Sequence, residues 1–352
     1  MKILVVGDIH FSVNSSIVRS REDVYSTRIT NCLQSIDFVE RLAESENCEL
    51  IVYLGDFFDK DTLNSEELTA IQTINWSPIK KIILVGNHEM GVSDLSKSSS
   101  HILNLIPNST VVDSPNAISG FGYRLIFLPY ILEENRKPIK KYIQEIYSGY
   151  FETQEVKSNY IFSHNDLKGV QMGRFVSEEG FTIKDLEDNC TYCFNGHLHN
   201  GCNVTDKIIN VGNLTGHDFS EDATKYRHNV YVLNTDTESY RVIENPFAFN
   251  FIKCEINDES DLEKFTEVCS SYNNIVLSVK CIDTLCESVK TIINSCKNIR
   301  EYRLTTIVTS NKKVSSDATI INTDYISQFC SYIIETLGDN EVVSSELQKV
   351  IG

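Results

Sequence analysis

The strongest constraint on this chain is a set of short apolar runs that each end abruptly at a residue of a metal-binding type. Each run has the length and β-branched composition of a buried strand. Helical spacing of apolar residues over Tyr25–Glu44 and Ser65–Ile74 separates the first three runs, and alternating strands and helices predict an α/β fold. The runs, with the residues that follow them, are Ile3–Val6 before GDIH, Leu50–Leu54 before GDFFD, Ile82–Val85 before GNHE, Tyr160–Phe162 before SH, and Tyr192–Phe194 before NGHLHNG.

The polar residues at these strand ends predict a shared binding site. In α/β sheets, ligands gather where the carboxyl ends of the strands meet. Five of the eight histidines fall in these turns, beside Asp and Asn residues. Five unrelated turns are the alternative, since Gly-Asp and Gly-Asn are common turn formers, but that alternative leaves the concentration of histidine unexplained. We therefore expect a metal site.

The stretch NGHLHNG, residues 195–201, places His197 and His199 one residue apart. An extended or tightly turned backbone can aim both rings at one place, and the flanking glycines permit a sharp turn. Taken alone, such a pair is more typical of two surface histidines than of a metal site. Its position after a strand, in series with the other four turns, favours the metal site.

Composition restricts the class of protein. A chain of 352 residues with 41% hydrophobic residues is long enough for one large globular domain and a smaller one. No segment resembles a membrane span or a signal peptide, and the odd number of cysteines, 11, favours a reducing cytoplasm. Cys190 and Cys193 form a C-x-x-C pair, which we interpret as two thiols packed beside a strand. The net charge of −17 argues against non-specific attraction to nucleic acid or membrane.

In this order, the motifs D-x-H, G-D-x-x-D, G-N-H-E, a single His after a strand, and G-H-x-H resemble those of the calcineurin-like metallophosphoesterase superfamily. The resemblance implies an α/β fold in which a β-sandwich is flanked by helices, in α-β-β-α layers. It also implies two metal ions bridged by Asp56. Asp8, His10 and His199 would complete the first site, and Asn87, His164 and His197 the second.

Carried over to this chain, the resemblance also assigns a chemistry. Two ions can activate a bridging water, neutralise phosphate oxygens and support in-line displacement at phosphorus. His88 matches the catalytic histidine that stabilises or protonates the leaving oxygen, with a structural histidine as the alternative, and Asp59 is expected to orient a ligand. Ligands without thiolate suit Mn²⁺, Fe or Zn²⁺. We expect two Mn²⁺ ions, with Fe, Zn²⁺ or Mg²⁺ as alternatives.

Within the superfamily, the compact layout resembles the SbcD-like DNA repair nucleases and their phage counterparts. This predicts a nuclease domain over residues 1–248, a small α+β DNA-capping domain over 249–309, and a linker and helical tail over 310–352. Within 249–309, apolar spacing predicts strands at Phe251–Ile256, Ile275–Cys281 and Tyr302–Val308, separated by helices at Ser260–Ser271 and Asp283–Lys297. The resemblance further implies DNA as substrate, a homodimer, an ABC-type, SMC-like ATPase partner that the tail contacts, and no membrane. The expected location is the cytoplasm, or the host cytoplasm for a viral protein.

Two other functions stay open on the sequence. One is a small-molecule or cyclic-nucleotide phosphodiesterase, and the other is a non-catalytic scaffold of the same fold, which is expected to lose ligands that this chain keeps. The acidic net charge weighs against DNA binding, since duplex binders present Lys and Arg to phosphates. Candidate DNA contacts are Lys168, Arg174, Arg300 and Arg303, although single basic residues are more often solvated surface groups.

Overall fold

The computed structural model describes residues 1–13, 15, 18, 24–148, 156–172 and 175–307. The helices are α1 Thr27–Ser45, α2 Ser65–Gln72, α3 Ile139–Ile146, α4 Ile183–Glu187, α5 Glu259–Ser271 and α6 Cys286–Ser295. The strands are β1 Lys2–Val6, β2 Leu50–Tyr53, β3 Lys80–Leu84, β4 Met90–Gly91, β5 Asp94–Ser98, β6 Ser109–Val112, β7 Asn116–Ser119, β8 Tyr123–Leu128, β9 Ser158–Ser163, β10 Leu167–Lys168, β11 Gln171–Met172, β12 Phe175–Val176, β13 Phe181–Thr182, β14 Tyr192–Asn195, β15 Cys202–Asn203, β16 Ile208–Asn210, β17 Asn229–Asn234, β18 Ser239–Glu244, β19 Asn250–Ile256, β20 Ile275–Ile282 and β21 Ile299–Ile307.

Two six-stranded sheets form the centre of the structure. The first has the order β18-β17-β1-β2-β3-β6, and the second the order β15-β16-β14-β9-β8-β7. The inner strands of both sheets run parallel, whereas β17, β18, β7 and β15 pair antiparallel at the margins. Parallel inner strands place their carboxyl ends along one edge of each sheet, which is where a ligand site forms.

Alternation of side chains along the strands explains the layers. In β1, Ile3 and Val5 face the second sheet and pack with Phe127, Phe162 and Phe194. Leu4 and Val6 face the other way, against α1 and α2. The outer face of the second sheet packs in turn against α3 and α4. Strands that are buried on both faces read as continuous apolar runs, and the layers are α-β-β-α, as the resemblance implied.

A third sheet, β19-β20-β21, is parallel throughout and carries α5 and α6 on one face. Leu277, Val279 and Cys281 of β20 point toward these helices. Val276 points to the opposite face and packs with Phe249 and Phe251. Strands and helices alternate here as the sequence predicts for residues 249–309.

The structure confirms the predicted fold class and shifts several element ends. The predicted helix over Asp283–Lys297 begins as a 3₁₀ turn, Asp283–Leu285, and becomes α-helical only over Cys286–Ser295. The strand expected at Tyr302–Val308 starts at Ile299, because its pairing with β20 begins there. The linker and tail at 310–352 lie outside the described residues. Among the described helices, none has the length and hydrophobicity needed to cross a bilayer.

A buried ion pair links α1 to the first sheet. Lys81 Nζ lies 3.1 Å from Glu40 Oε2, and the exposed fractions of the two side chains are 0% and 3%. Glu40 also accepts a hydrogen bond from the Tyr53 hydroxyl at 2.8 Å, and Lys81 donates to the Ser77 carbonyl at 2.8 Å. Burial, followed by the nearby Glu40 carboxylate, raises the pKa of Tyr53 well above its usual value. The tyrosine therefore stays a neutral donor to Glu40.

We expect Lys81→Met to lower the free energy of unfolding by about 3–5 kcal/mol, because it leaves the Glu40 charge buried without its partner. The double variant Glu40→Gln/Lys81→Met should recover much of that loss, since glutamine keeps an acceptor for Tyr53 without a charge. Urea unfolding of the three proteins measures both effects.

Lys184→Met is the matched control, because Lys184 pairs with Asp188 at 3.0 Å on the exposed surface. The free energy of unfolding of Lys184→Met should fall by less than about 1 kcal/mol. A double variant that is less stable than Lys81→Met alone would contradict the charge argument.

Candidate metal centre

The residues predicted as ligands converge at the carboxyl ends of strands from both large sheets. Asp8 and His10 follow β1, Asp56 follows β2, Asn87 follows β3, His164 follows β9, and His197 and His199 follow β14. Three groups of side chains bring their ligand atoms within 4.8 Å of one another, namely Asp8/His10/His199, His10/Asp56/His88 and Asp56/His164/His197. Asp56 belongs to two of them, as expected for a shared ligand.

His10 and His199 form one half of the cluster. Their Nε2 atoms lie only 2.9 Å apart. The other ring nitrogens contact carboxylates: His10 Nδ1 lies 3.0 Å from Asp59 Oδ1, and His199 Nδ1 lies 2.8 Å from Glu221 Oε1. A carboxylate accepts hydrogen bonds, so we assign the Nδ1 protons to these contacts. Two Nε2 lone pairs then face each other, and a cation or an added proton must lie between them.

His164 and His197 form the other half, with Asn87. His164 Nδ1 lies 2.9 Å from the Leu54 carbonyl, so Nε2 is the unprotonated nitrogen of the neutral ring. That Nε2 faces Asp56 Oδ2 at 3.1 Å and Asn87 Oδ1 at 3.2 Å, both acceptors. His197 repeats the arrangement, with Nε2 3.1 Å from Asp166 Oδ1 and Nδ1 2.9 Å from Asn87 Oδ1. This half also fits a cation, in a field of imidazole, carboxylate and amide donors.

The pKa values agree with a site that binds positive charge. Burial lowers the pKa of His164, but the carboxylates of Asp56 and Asp8 outweigh it and raise that pKa to about 9. The pKa of His199 is likewise lowered by burial and raised, chiefly by Glu221, to about 9. Burial alone would raise the pKa of Asp56, yet the imidazoles of His164 and His10 hold it well below its usual value.

Unusual backbone conformations aim these side chains. His10, Asp56 and His197 have positive φ angles of 51°, 45° and 75°, which residues other than glycine adopt rarely and at a cost in energy. The Asp56 carbonyl stabilises the turn after β1 by accepting hydrogen bonds from the amides of Ile9 and His10 at 3.1 and 2.9 Å. The two strand-end turns therefore fix each other.

Gly86 permits a close approach at the centre of the cluster. A Cβ at this position would lie 2.1 Å from Asp56 Oδ1. The same carboxylate oxygen accepts a hydrogen bond from the His88 amide at 3.0 Å. The glycine of the G-N-H-E motif is thus required by the Asp56 carboxylate, in addition to any turn that it makes.

His88 differs from the ligand histidines in being exposed. Its side chain is 42% exposed, and its ring lies edge-on to His10 at 4.7 Å between centroids. Nδ1 lies 3.3 Å from the Asp59 carbonyl, the acceptor that orients the ring. His88 therefore lies at the exposed edge of the His10/Asp56/His88 group, with its ring open to solvent.

Sequence reasoning missed several residues that support the cluster. Asp166 and Glu221 bind ring nitrogens of His197 and His199 as described above, and Asp59, which was expected to orient a ligand, does the same for His10. Glu89 is fully buried and accepts hydrogen bonds from the amides of Phe57 at 3.0 Å and Gly86 at 3.1 Å. For Glu89, the only signal in the sequence was its place in the G-N-H-E motif. For Asp166, the only signal was its position two residues after His164.

A further histidine, His217, also went unnoticed, since it lies outside every motif. Its ring centroid lies 4.9 Å from that of His10 and 5.5 Å from that of His199. Burial and the nearby Arg28 guanidinium lower the pKa of His217 to about 4. Arg28 is itself buried and donates to the carbonyls of Ile9, His10 and Gly216 at 3.0, 3.1 and 2.7 Å.

The candidate DNA contacts lie elsewhere. Lys168 is exposed on β10, and Arg300 and Arg303 are exposed on β21, the outer strand of the third sheet. Arg300 Nε donates to Asn274 Oδ1 at 3.0 Å. Arg174 lies outside the described residues. Cys190 and Cys193 are buried beside the second sheet, and burial raises the pKa of both thiols, in agreement with packing rather than reactivity.

The sequence model of the family described as calcineurin-like phosphoesterase matches residues 1–212. Exonuclease subunit 1 of enterobacteria phage T4 is 23% identical over 208 residues, covering 56% of this chain and 55% of that protein. The chain thus spans about half the length of this relative. A solved dimetal phosphatase from Danio rerio matches with a TM-score of 0.40 and 12% identity, over 70% of this chain and 99% of that chain.

Asp166→Asn tests the arrangement around His197. The introduced amide can donate a hydrogen bond to His197 Nε2 and so move the ring proton to Nδ1. A protonated Nδ1, which faces Asn87, could no longer bind a metal ion. We expect one of two Mn²⁺ ions to bind about 10- to 100-fold more weakly, while the other keeps its affinity. Calorimetric titration with Mn²⁺ measures the two affinities.

Asp188→Asn, which changes an exposed carboxylate in a surface ion pair, serves as the control and should bind both ions as the unchanged protein does. Equal weakening of both ions in Asp166→Asn, or none, would show that Asp166 does not orient His197.

Proposed function

Because the chain belongs to the calcineurin-like phosphoesterase family, we propose that it is a two-metal-dependent DNA nuclease subunit that hydrolyses phosphodiester bonds. The observation that carries this proposal is the pair of histidine clusters joined through Asp56, in which unprotonated ring nitrogens face each other or face oxygen acceptors. Such a donor set fits a pair of cations and has no other evident purpose. Support for DNA as substrate comes from the similarity to a phage exonuclease subunit.

The ligands would divide between two ions in this proposal. Asp8, His10 and His199 would hold the first ion, Asn87, His164 and His197 would hold the second, and Asp56 would be shared. When bound, the ions neutralise phosphate charge and activate the attacking water. We propose Mn²⁺, because carboxylate, amide and imidazole donors without thiolate suit it. Fe, Zn²⁺ and Mg²⁺ are the alternatives that metal analysis would distinguish.

The other residues act on the ligands or on the substrate. Asp59, Glu221 and Asp166 hold His10, His199 and His197 in the tautomers that leave a lone pair for the ion. His88 is the proposed general acid, since its ring is exposed beside His10 and, among the described residues, no carboxylate lies within hydrogen-bond distance of it. In this position it can donate a proton to the oxygen that leaves phosphorus.

We also propose that the third sheet and its helices, within residues 249–309, govern access of DNA. On the face turned away from α5 and α6, Lys253, Ser278 and Arg303 lie side by side across three strands. Lys253 Nζ lies 5.9 Å from the Phe219 ring centroid, and Phe219 belongs to the loop that carries His217 and Glu221. This face therefore adjoins the loop of His217 and Glu221, and it carries Lys253, Lys280 and Arg303 together with Glu255 and Glu301.

The partner predictions extend this proposal beyond the described residues. The relative's name identifies it as a subunit, which supports a complex for this chain as well. We propose an ABC-type, SMC-like ATPase as the partner, with a homodimer of this chain at the centre. The segment 310–352, which was predicted to contact the ATPase, lies outside the described residues.

A nuclease assay with Mn²⁺ tests the proposed function. The protein should shorten end-labelled duplex or single-stranded DNA and also hydrolyse a small chromogenic phosphodiester. His88→Ala should bind the same number of ions yet lose about 10²–10⁴-fold in turnover on both substrates, as is typical when a general acid is removed.

His101→Ala is the control, since His101 bonds the Leu95 carbonyl away from the cluster and should keep full turnover. Hydrolysis of the small diester with DNA left intact would reject the nuclease and support the small-molecule phosphodiesterase instead. Unchanged turnover in His88→Ala would make that residue structural.

The double variant Lys253→Glu/Arg303→Glu tests the access proposal. It should raise KM for duplex DNA, while hydrolysis of the small diester is unchanged. The slope of the logarithm of the DNA-binding constant against the logarithm of salt concentration should fall by the amount expected for about two lost phosphate contacts. The double variant Lys264→Glu/Lys290→Glu makes the same change in charge on α5 and α6, and it should leave duplex cleavage intact. Equal effects of the two double variants would indicate that the net charge of the protein, rather than this face, determines its action on duplex DNA.

A further inference from the structure

His217 stands beside the metal centre without a role in it. Its ring packs against those of His10 and His199, at 4.9 and 5.5 Å between centroids. It belongs to none of the three groups of described side chains that could hold an ion. The residue is thus an imidazole next to the ligands that is not itself placed as a ligand.

The backbone around His217 is fixed from several directions. Arg28 donates to the Gly216 carbonyl at 2.7 Å, and the Gly216 amide donates to Asn213 Oδ1 at 2.7 Å. Gly216 has φ +73°, and a Cβ there would lie 2.2 Å from the Phe249 carbonyl oxygen. The His217 amide donates to Glu221 Oε2 at 3.0 Å, and the other oxygen of the same carboxylate binds His199. The loop therefore fixes the position of His217 relative to His199.

The ring of His217 is bonded differently from the ligand histidines. Its Nδ1 is buried and has no hydrogen-bond partner in the described part of the chain, whereas Nε2 is not among the buried atoms that lack a partner. A buried N–H without an acceptor is rarer and costlier than a buried acceptor without a donor. We therefore assign the proton of the neutral ring to Nε2.

We infer that His217 is a further catalytic residue, whose Nε2–H donates a hydrogen bond to an oxygen of the phosphodiester on the His10/His199 side of the centre. The inference rests on the proposed function, since it requires a phosphodiester at this place. A neutral N–H donor suits a phosphate oxygen, because hydrogen bonds to charged acceptors are the strong ones. His217 and His88 both pack against the His10 ring, at 4.9 and 4.7 Å between centroids, so two imidazoles lie beside this one ligand.

Two substitutions separate the donor from the shape of the ring. His217→Phe keeps a planar ring without a donor, and His217→Gln keeps an N–H donor at a similar reach. We expect His217→Phe to lower kcat/KM for a small chromogenic diester about 10- to 100-fold, as for a lost hydrogen bond to a charged group, and His217→Gln to recover much of that loss. The affinity of the metal-loaded protein for inorganic phosphate, measured by calorimetry, should fall in His217→Phe by a similar factor.

Metal stoichiometry and a control complete the experiment. His101→Phe makes the same change at a histidine that bonds the Leu95 carbonyl, and it should leave kcat/KM and phosphate affinity unchanged. The inference is overturned if His217→Phe matches this control, or if His217→Phe and His217→Gln lose metal ions equally, since His217 would then only support the ligand loop. A protein that hydrolyses the small diester but not DNA would reject the nuclease proposal alone, because the His217 comparison is made on the small diester.

Discussion

Two imidazole nitrogens that face each other at 2.9 Å, His10 Nε2 and His199 Nε2, set the requirement that the rest of the centre satisfies. Neither ring can turn to relieve the contact, because Asp59 and Glu221 bind the opposite nitrogens. The same logic recurs at His164, held by the Leu54 carbonyl, and at His197, held by Asp166. Each histidine is thus fixed on one side so that its other side is available to a cation.

The sandwich supplies the rigidity that this arrangement needs. Asp56 and His10 hold positive φ angles, a conformation that persists only where surrounding structure enforces it. Here the enforcement comes from parallel strands buried on both faces and from the Asp56 carbonyl, which binds the neighbouring turn. Arg28 adds a link between that turn and the loop of His217, so three segments distant in sequence are joined beneath one centre.

The sequence alone identified the candidate ligands that follow strands, and it missed several residues that support them. Asp8, Asp56, Asn87, His164 and the His197/His199 pair were identifiable because an apolar run ends just before each of them. Glu221 and His217 come from a loop without periodicity or a motif, and the pairing of β14 with β16, the turn at Gly212 and the contacts of Arg28 bring that loop to the site. Helix ends also shifted, as at Asp283–Leu285, because local hydrogen bonds decide them.

Charge explains how an acidic protein can act on an anionic substrate. Asp8, Asp56, Asp59, Asp166 and Glu221 surround the histidines, so the centre without added cations repels a phosphodiester in the same way as the net charge of −17 does. The same carboxylates raise the pKa values of His164 and His199. Cations that compensate these carboxylates would therefore favour binding of an anionic phosphoester at this centre.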